Sequence, residues 1–162
     1  MLFGGPHVSP IPEDVMRAYP TIDFVICKEG EVPALELCRQ LTAEVPQFDQ
    51  VPNLVYRQGD QSEAILASPV LPNPKDLGPM PFPKREFAYR HNETIVELRR
   101  ESAPPVAFFV SSRGCPKRCS FCSIITLSPR WRFRQVEDLM AEIRAEYDRE
   151  PFGHIGFLDP NF

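Results

Sequence analysis

The chain has 162 residues, 43% of them hydrophobic and 25% charged, with a formal net charge of −4. That balance fits a globular protein and gives no global attraction to nucleic acid or an anionic membrane. No apolar run approaches the roughly 20 residues that a bilayer span requires, so neither a membrane span nor a nucleic-acid partner is expected. Met1-Leu2-Phe3-Gly4-Gly5 does not read as a secretory leader, and the expected setting is cytoplasmic.

The first 45 residues alternate strand and helix. Met1-Leu2-Phe3 reads as the end of a buried strand closed by Gly4-Gly5. A helix opens at Pro12-Glu13-Asp14, with proline at its first position and acids in the first turn. Phe24-Val25-Ile26-Cys27 is an apolar run suited to a buried parallel strand. Another helix follows Glu29-Gly30-Glu31, with Ala34, Leu37, Cys38 and Leu41 on one face. This is the rhythm of a doubly wound, Rossmann-like layer.

Leu54-Val55-Tyr56-Arg57 and Ala64-Ile65-Leu66-Ala67 flank a polar turn and read as a hairpin. From Pro69 to Pro83 prolines recur too often for a helix or a central strand. Residues 46–103 are therefore expected to be a hairpin and a proline-rich linker. Val106 to Val110 is the next buried strand. Val136, Leu139, Met140, Ile143 and Tyr147 recur at helical spacing, predicting an amphipathic helix over 136–149. Ile155-Gly156-Phe157-Leu158 returns as a strand. Residues 104–162 thus form one strand–loop–helix–strand unit, and active sites of such folds lie in the loops at the carboxyl ends of the strands.

That loop carries three of the five cysteines within eight residues, Gly114-Cys115-Pro116-Lys117-Arg118-Cys119-Ser120-Phe121-Cys122. An odd total with this clustering argues against a disulfide framework. A C-x3-C-x2-C loop offers three thiolates to a metal cluster, whereas closed zinc sites and ordinary electron-transfer clusters use four ligands. An open iron would leave a place for a substrate to coordinate. The competing readings are zinc completed by a distant ligand such as His154, or plain buried thiols. Lys117 and Arg118 put positive charge beside the loop, which favours thiolates, or they are simply solvated.

The spacing Cys115-x3-Cys119-x-Phe121-Cys122 resembles the signature of the radical S-adenosylmethionine superfamily. The resemblance implies that Cys115, Cys119 and Cys122 hold a [4Fe–4S] cluster, whose fourth iron chelates S-adenosylmethionine. It also implies reductive cleavage to a 5′-deoxyadenosyl radical, a small-molecule substrate and a low-potential electron donor of the flavodoxin or ferredoxin type. Phe121 would lie beside the adenine. Flanking segments are similar to the cobalamin-binding-domain group, which includes the anaerobic magnesium-protoporphyrin monomethyl ester cyclase and several methyltransferases. They are Gly4-Gly5-Pro6-His7, Lys28-Glu29-Gly30-Glu31, Met80-Pro81-Phe82-Pro83 and Phe157-Leu158-Asp159-Pro160-Asn161-Phe162. Lys28 stands where that group has glycine, and Pro160 where it more often has an acid.

On this resemblance residues 1–45 are the C-terminal part of a Rossmann-like cobalamin-binding domain. Residues 104–162 are the start of a radical-enzyme partial (β/α) barrel, and the chain is expected to be a fragment of a larger protein. Gly4 and Gly5 match the approach to a cobalamin nucleotide tail, or else form a plain tight turn. The Asp-x-His-x-x-Gly motif of the cobalt-ligating histidine does not occur, and His7 is not that ligand, so cobalamin stays open. Asp159 and Asn161 match a strand end that binds the amino group of S-adenosylmethionine, with an exposed turn as the alternative. The substrate would be a tetrapyrrole, lipid or secondary metabolite, in cyclase or methyltransferase chemistry; the alternative is a non-catalytic iron–sulfur or zinc module. Arg130, Arg132 and Arg134 alternate with Trp131 and Phe133, an arrangement read as packing with ion pairs rather than RNA binding. Arg132 or Arg134 could instead hold the cosubstrate carboxylate. Cys27 and Cys38 are expected in the core, and His91 and His154 have no assigned role.

Overall fold

The structure is a computed structural model describing residues 1–58, 64–78, 81–86 and 106–161. The chain divides into two compact units, Met1–Asn73 with Lys117–Pro129, and Pro74–Pro116 with Arg130–Phe162. His91 and most of the linker after Pro83 lie outside the described residues.

In the first unit four strands form one sheet in the order β1 (Leu2–Gly4), β2 (Phe24–Ile26), β3 (Leu54–Arg57), β4 (Ile65–Ala67). β1 and β2 are parallel and joined by α1 (Pro12–Ala18); β3 adds antiparallel to β2, and β4 antiparallel to β3. Side chains alternate across a strand, so the two faces make separate cores. Val25 and Val55 pack with Met16 of α1, Val8 and Ile22 on one face. Ile26, Leu54 and Tyr56 pack with Val51 and with Leu37 of α2 (Glu31–Leu41) on the other. A sheet covered by a helix on each face is the doubly wound layer that the sequence predicts, extended by the hairpin.

Three details of this unit differ from the reading. Residues of β1 are exposed, not buried, because among the described strands β1 pairs only with β2. Cys38 is exposed, since α2 turns Pro33 and Leu37 inward. Leu41, expected on the same inward face, is also exposed.

The second unit holds β5 (Val106–Phe109) parallel to β8 (His154–Phe157), connected through α4 (Val136–Arg149). The pairing runs from Val106 opposite His154 to Phe109 opposite Phe157. Between them β6 (Ser112–Arg113) and β7 (Arg132–Phe133) form a short antiparallel ladder. α4 has the predicted bounds but not the predicted inner face. Val136, Met140 and Tyr147 are exposed, while Glu142 and Glu146 are buried.

Arginines explain the exchange. Glu142 is paired with Arg85 and Arg134, and Glu146 with Arg149 and, more loosely at 3.8 Å, with Arg85. Arg85 also donates to the Phe108 carbonyl at 3.0 Å and lies 4.5 Å from the centre of the Phe109 ring. Buried charges persist only when paired and hydrogen-bonded, and here each carboxylate has at least one guanidinium partner.

The turn after β2 carries a non-glycine residue in the left-handed region: Lys28 has φ 62°. Its amide donates to the Ser9 hydroxyl at 3.0 Å, and that hydroxyl donates to the Gly5 carbonyl at 2.7 Å. The conformation is therefore fixed by the neighbouring loop, at a Cβ cost that glycine would avoid. Lys28→Gly should raise stability by about 1 kcal/mol. Gly5→Ala, at φ 99°, should lower it by a similar amount. Urea midpoints of the two variants check this, and a destabilised Lys28→Gly would show that the lysine side chain outweighs backbone strain.

Candidate cluster loop and cofactor crevice

The cysteine loop leaves the carboxyl end of β5. Ser111 and Ser112 carry the chain into β6, and Gly114, buried with φ 81°, turns it toward Cys115. Only glycine adopts that φ without strain. Cys115 is half-buried. Beyond Pro116 the loop packs with the first unit. There Cys122 N–H donates to the Cys119 carbonyl at 3.1 Å, closing a tight turn between these two cysteines. Cys119 is exposed and Cys122 half-buried, and α3 (Ile124–Leu127) follows, its last carbonyl accepting from the Asn73 side chain at 2.9 Å. Phe121 is 90% exposed.

All five cysteines are free thiols. The donor chemistry of the loop therefore suits an iron–sulfur cluster: three unoxidised sulfurs on a short basic segment. Among the described residues, however, no three His, Cys, Asp or Glu side chains stand close enough together to hold a single metal ion. His154, the zinc alternative's fourth ligand, is an exposed residue at the start of β8.

At the end of β8, Asp159 is half-buried and engaged with the protein. Its Oδ1 accepts the Ser111 amide at 2.8 Å, and its Oδ2 accepts the hydroxyls of Ser111 and, at 3.2 Å, Ser112. Asn161 is half-buried, and its carbonyl lies 3.5 Å from the Ser112 hydroxyl. The two serines were legible only as a strand break. Two hydroxyls just after one strand and a carboxylate just after its parallel neighbour were the signal available for this group.

The arginine–aromatic stretch splits by burial. Arg132 is buried and donates to the Pro74 carbonyl at 2.8 Å, Arg134 pairs with Glu142, and Arg130 is exposed. Trp131 and Phe133 are exposed with ring centres 5.3 Å apart. Arg134 thus makes an ion pair, and Arg132 is packed with a hydrogen bond to the backbone.

In the first unit Gly4 and Gly5 sit where β1 ends. A Cβ on Gly4 would stand 3.4 Å from the Ile26 carbonyl oxygen, and one on Gly5 would meet nothing within 4 Å. The Gly5–Ser9–Lys28 hydrogen bonds tie together the loops at the carboxyl ends of the two parallel strands. The carboxyl ends of the parallel strands are where open α/β sheets bind ligands. Ser9 had no signal in the sequence. His7 is exposed in the same loop. Among the described residues no helix is long and apolar enough to cross a membrane.

A doubly wound layer followed by a cysteine-bearing βαβ unit is the fold found in cobalamin-dependent radical S-adenosylmethionine enzymes. The solved structure of one of them, OxsB, superposes on 99% of this chain and 21% of its own, with a TM-score of 0.69 and 24% identity. No protein-family profile matches the chain. Curated relatives do. An uncharacterized methyltransferase of Pyrococcus horikoshii is 28% identical over 163 residues, covering 100% of this chain and 33% of the relative. The cobalamin-dependent radical SAM methyltransferase TokK of Streptomyces tokunonensis is 29% identical over 163 residues, 98% of this chain and 23% of its own length. The anaerobic magnesium-protoporphyrin IX monomethyl ester cyclase of Synechocystis is 25% identical over 146 residues, 88% and 27% respectively. The resemblance to the cobalamin-binding-domain radical enzymes therefore extends along nearly the whole chain. The chain spans about a quarter to a third of the length of these relatives.

Cys27 lies against the Val25 face of the core, and burial raises its thiol pKa above the usual range, with Lys28 opposing more weakly. A raised pKa means less thiolate at a given pH. At pH 8, iodoacetamide should label Cys38 several-fold faster than Cys27, read by peptide mass spectrometry. Equal rates would show that the core around Cys27 opens freely.

Proposed function

We propose that the chain is the junction segment of a radical S-adenosylmethionine enzyme, joining a cobalamin-type layer (residues 1–45) through a hairpin and proline-rich linker (46–103) to the first barrel unit (104–162). The observation that carries this is the placement of C-x3-C-x2-C. Three free thiols lie in the loop that leaves the carboxyl end of the first strand of a parallel βαβ unit. Loops at that end are where barrel enzymes do chemistry.

Cys115, Cys119 and Cys122 would hold a [4Fe–4S] cluster, with Phe121 and Asn161 toward S-adenosylmethionine and Asp159 at the neighbouring strand end. Once bound, the cluster would supply the electron that cleaves S-adenosylmethionine to methionine and a 5′-deoxyadenosyl radical. The residues of this chain would provide the frame for that: Gly114 turns the chain from β6 toward Cys115 and the β5–β8 ladder fixes where the loop begins. Lys117 and Arg118 offset the anionic charge of the cluster. Gly4 and Gly5 leave room at the crevice for a cobalamin tail. The relatives' own names, methyltransferases and a cyclase, support methyl transfer or cyclisation on a tetrapyrrole, lipid or secondary metabolite. A flavodoxin- or ferredoxin-type donor in the cytoplasm would deliver the electron.

Anaerobic reconstitution with iron and sulfide tests the ligand set. The unmodified chain should take up a four-iron cluster whose electron paramagnetic resonance spectrum shifts when S-adenosylmethionine is added. Cys115→Ala, Cys119→Ala and Cys122→Ala should each lose it. Cys27→Ala and Cys38→Ala should keep their iron, the first at a packing cost of about 1 kcal/mol. Tight zinc without iron uptake would favour a non-catalytic module. Iron loss in Cys38→Ala would show the ligands to be wrongly assigned.

A further inference from the structure

Asp159, Ser111 and Ser112 form a closed hydrogen-bonded group at the root of the cysteine loop. The carboxylate takes the Ser111 amide on one oxygen and both serine hydroxyls on the other. Oδ1 takes one amide and Oδ2 has the Ser111 hydroxyl and, at 3.2 Å, the Ser112 hydroxyl as donors, so most of the carboxylate's roughly four acceptor sites face the protein. Ser111 is held on its other side as well, its carbonyl accepting the Arg134 amide at 2.9 Å. Ser112 is 2% exposed and pairs with Phe133 across the β6–β7 ladder. The residues just before Gly114 are therefore gripped between the end of β8 and β7.

We infer that Asp159 is a positioning residue for the cysteine loop. Through Ser111 and Ser112 it fixes the backbone from which Gly114 launches Cys115, rather than binding the amino group of the cosubstrate. Hydrogen bonds to a carboxylate are roughly twice as strong as neutral ones, and they act here at the carboxyl end of β5, beyond the last ladder pair at Phe109 and Phe157. This inference rests on the radical-enzyme reading only for what the loop carries; the clasp itself is a property of the fold.

Two measurements on the chain test it. In the cluster-free protein, Asp159→Ala should speed amide exchange over residues 110–114 by about tenfold or more, and Asp159→Asn, which can still accept and donate, by less. In the reconstituted protein, Asp159→Ala should lose iron to a chelator faster, and so should Ser111→Ala combined with Ser112→Ala. The triple variant should be no worse than Asp159→Ala, because the three residues act through one contact. The S-adenosylmethionine concentration that half-saturates the spectral shift should stay the same in Asp159→Asn. A tenfold rise in that concentration, with exchange and iron retention unchanged, would overturn the inference and make Asp159 a cosubstrate ligand. If the unmodified chain takes up no cluster, the proposed function fails; unchanged exchange in Asp159→Ala would then refute the clasp separately.

Discussion

The region that carries the cysteines depends on the parallel pairing of β5 with β8. Parallel strands cannot be joined by a tight turn, so the chain must leave β5, cross over and return. Everything between Phe109 and His154 is that crossover: the cysteine loop, the β6–β7 ladder and α4. The ladder fixes where the loop begins, and the Leu158 amide extends it by donating to the Phe109 carbonyl at 2.9 Å. Asp159 then closes the gap one residue further on. A cysteine loop that starts from a hydrogen-bonded strand end has a defined point of departure even where its tip, at Cys119 and Phe121, is exposed.

The crossover helix is held unusually. α4 buries two carboxylates against three arginines and leaves several of its apolar residues outside. Buried ion pairs contribute little net stability over apolar packing, yet losing one partner strands a charge, which costs about 3–5 kcal/mol. The helix is thereby specified by its partners: only a placement that offers guanidinium groups to Glu142 and Glu146 is tolerated. Arg85, from the proline-rich connection, makes two of these contacts and also reaches the β5 backbone, so this residue is part of the second unit's core.

Much of this was legible beforehand. Local period and punctuation gave the bounds of α4, the starts of α1 and β2, and the β3–β4 hairpin, because those signals lie within a few residues of one another. Which face of α4 turns inward was not legible, since Arg85 lies 57 positions from Glu142 and no periodicity reports a partner at that distance. The exposure of β1 and Cys38 was missed for a related reason: an apolar residue looks buried until its neighbours are known. Spacing alone singled out the three loop cysteines, which lie in the loop after β5 as free thiols. The clasp at Asp159 was not, as it joins residues 48 positions apart through hydroxyls that carry no pattern. Lys28 was seen as a departure from glycine, and its backbone lies in the left-handed region that favours glycine.

The central claim is that the loop after β5 binds a four-iron cluster through three cysteines and leaves one iron open to S-adenosylmethionine. Mössbauer spectroscopy of the chain reconstituted with iron-57 tests it most directly. The account predicts four cluster irons, one of which changes its isomer shift and quadrupole splitting when S-adenosylmethionine is added while the other three do not. A cluster whose irons all stay unchanged on addition would contradict it.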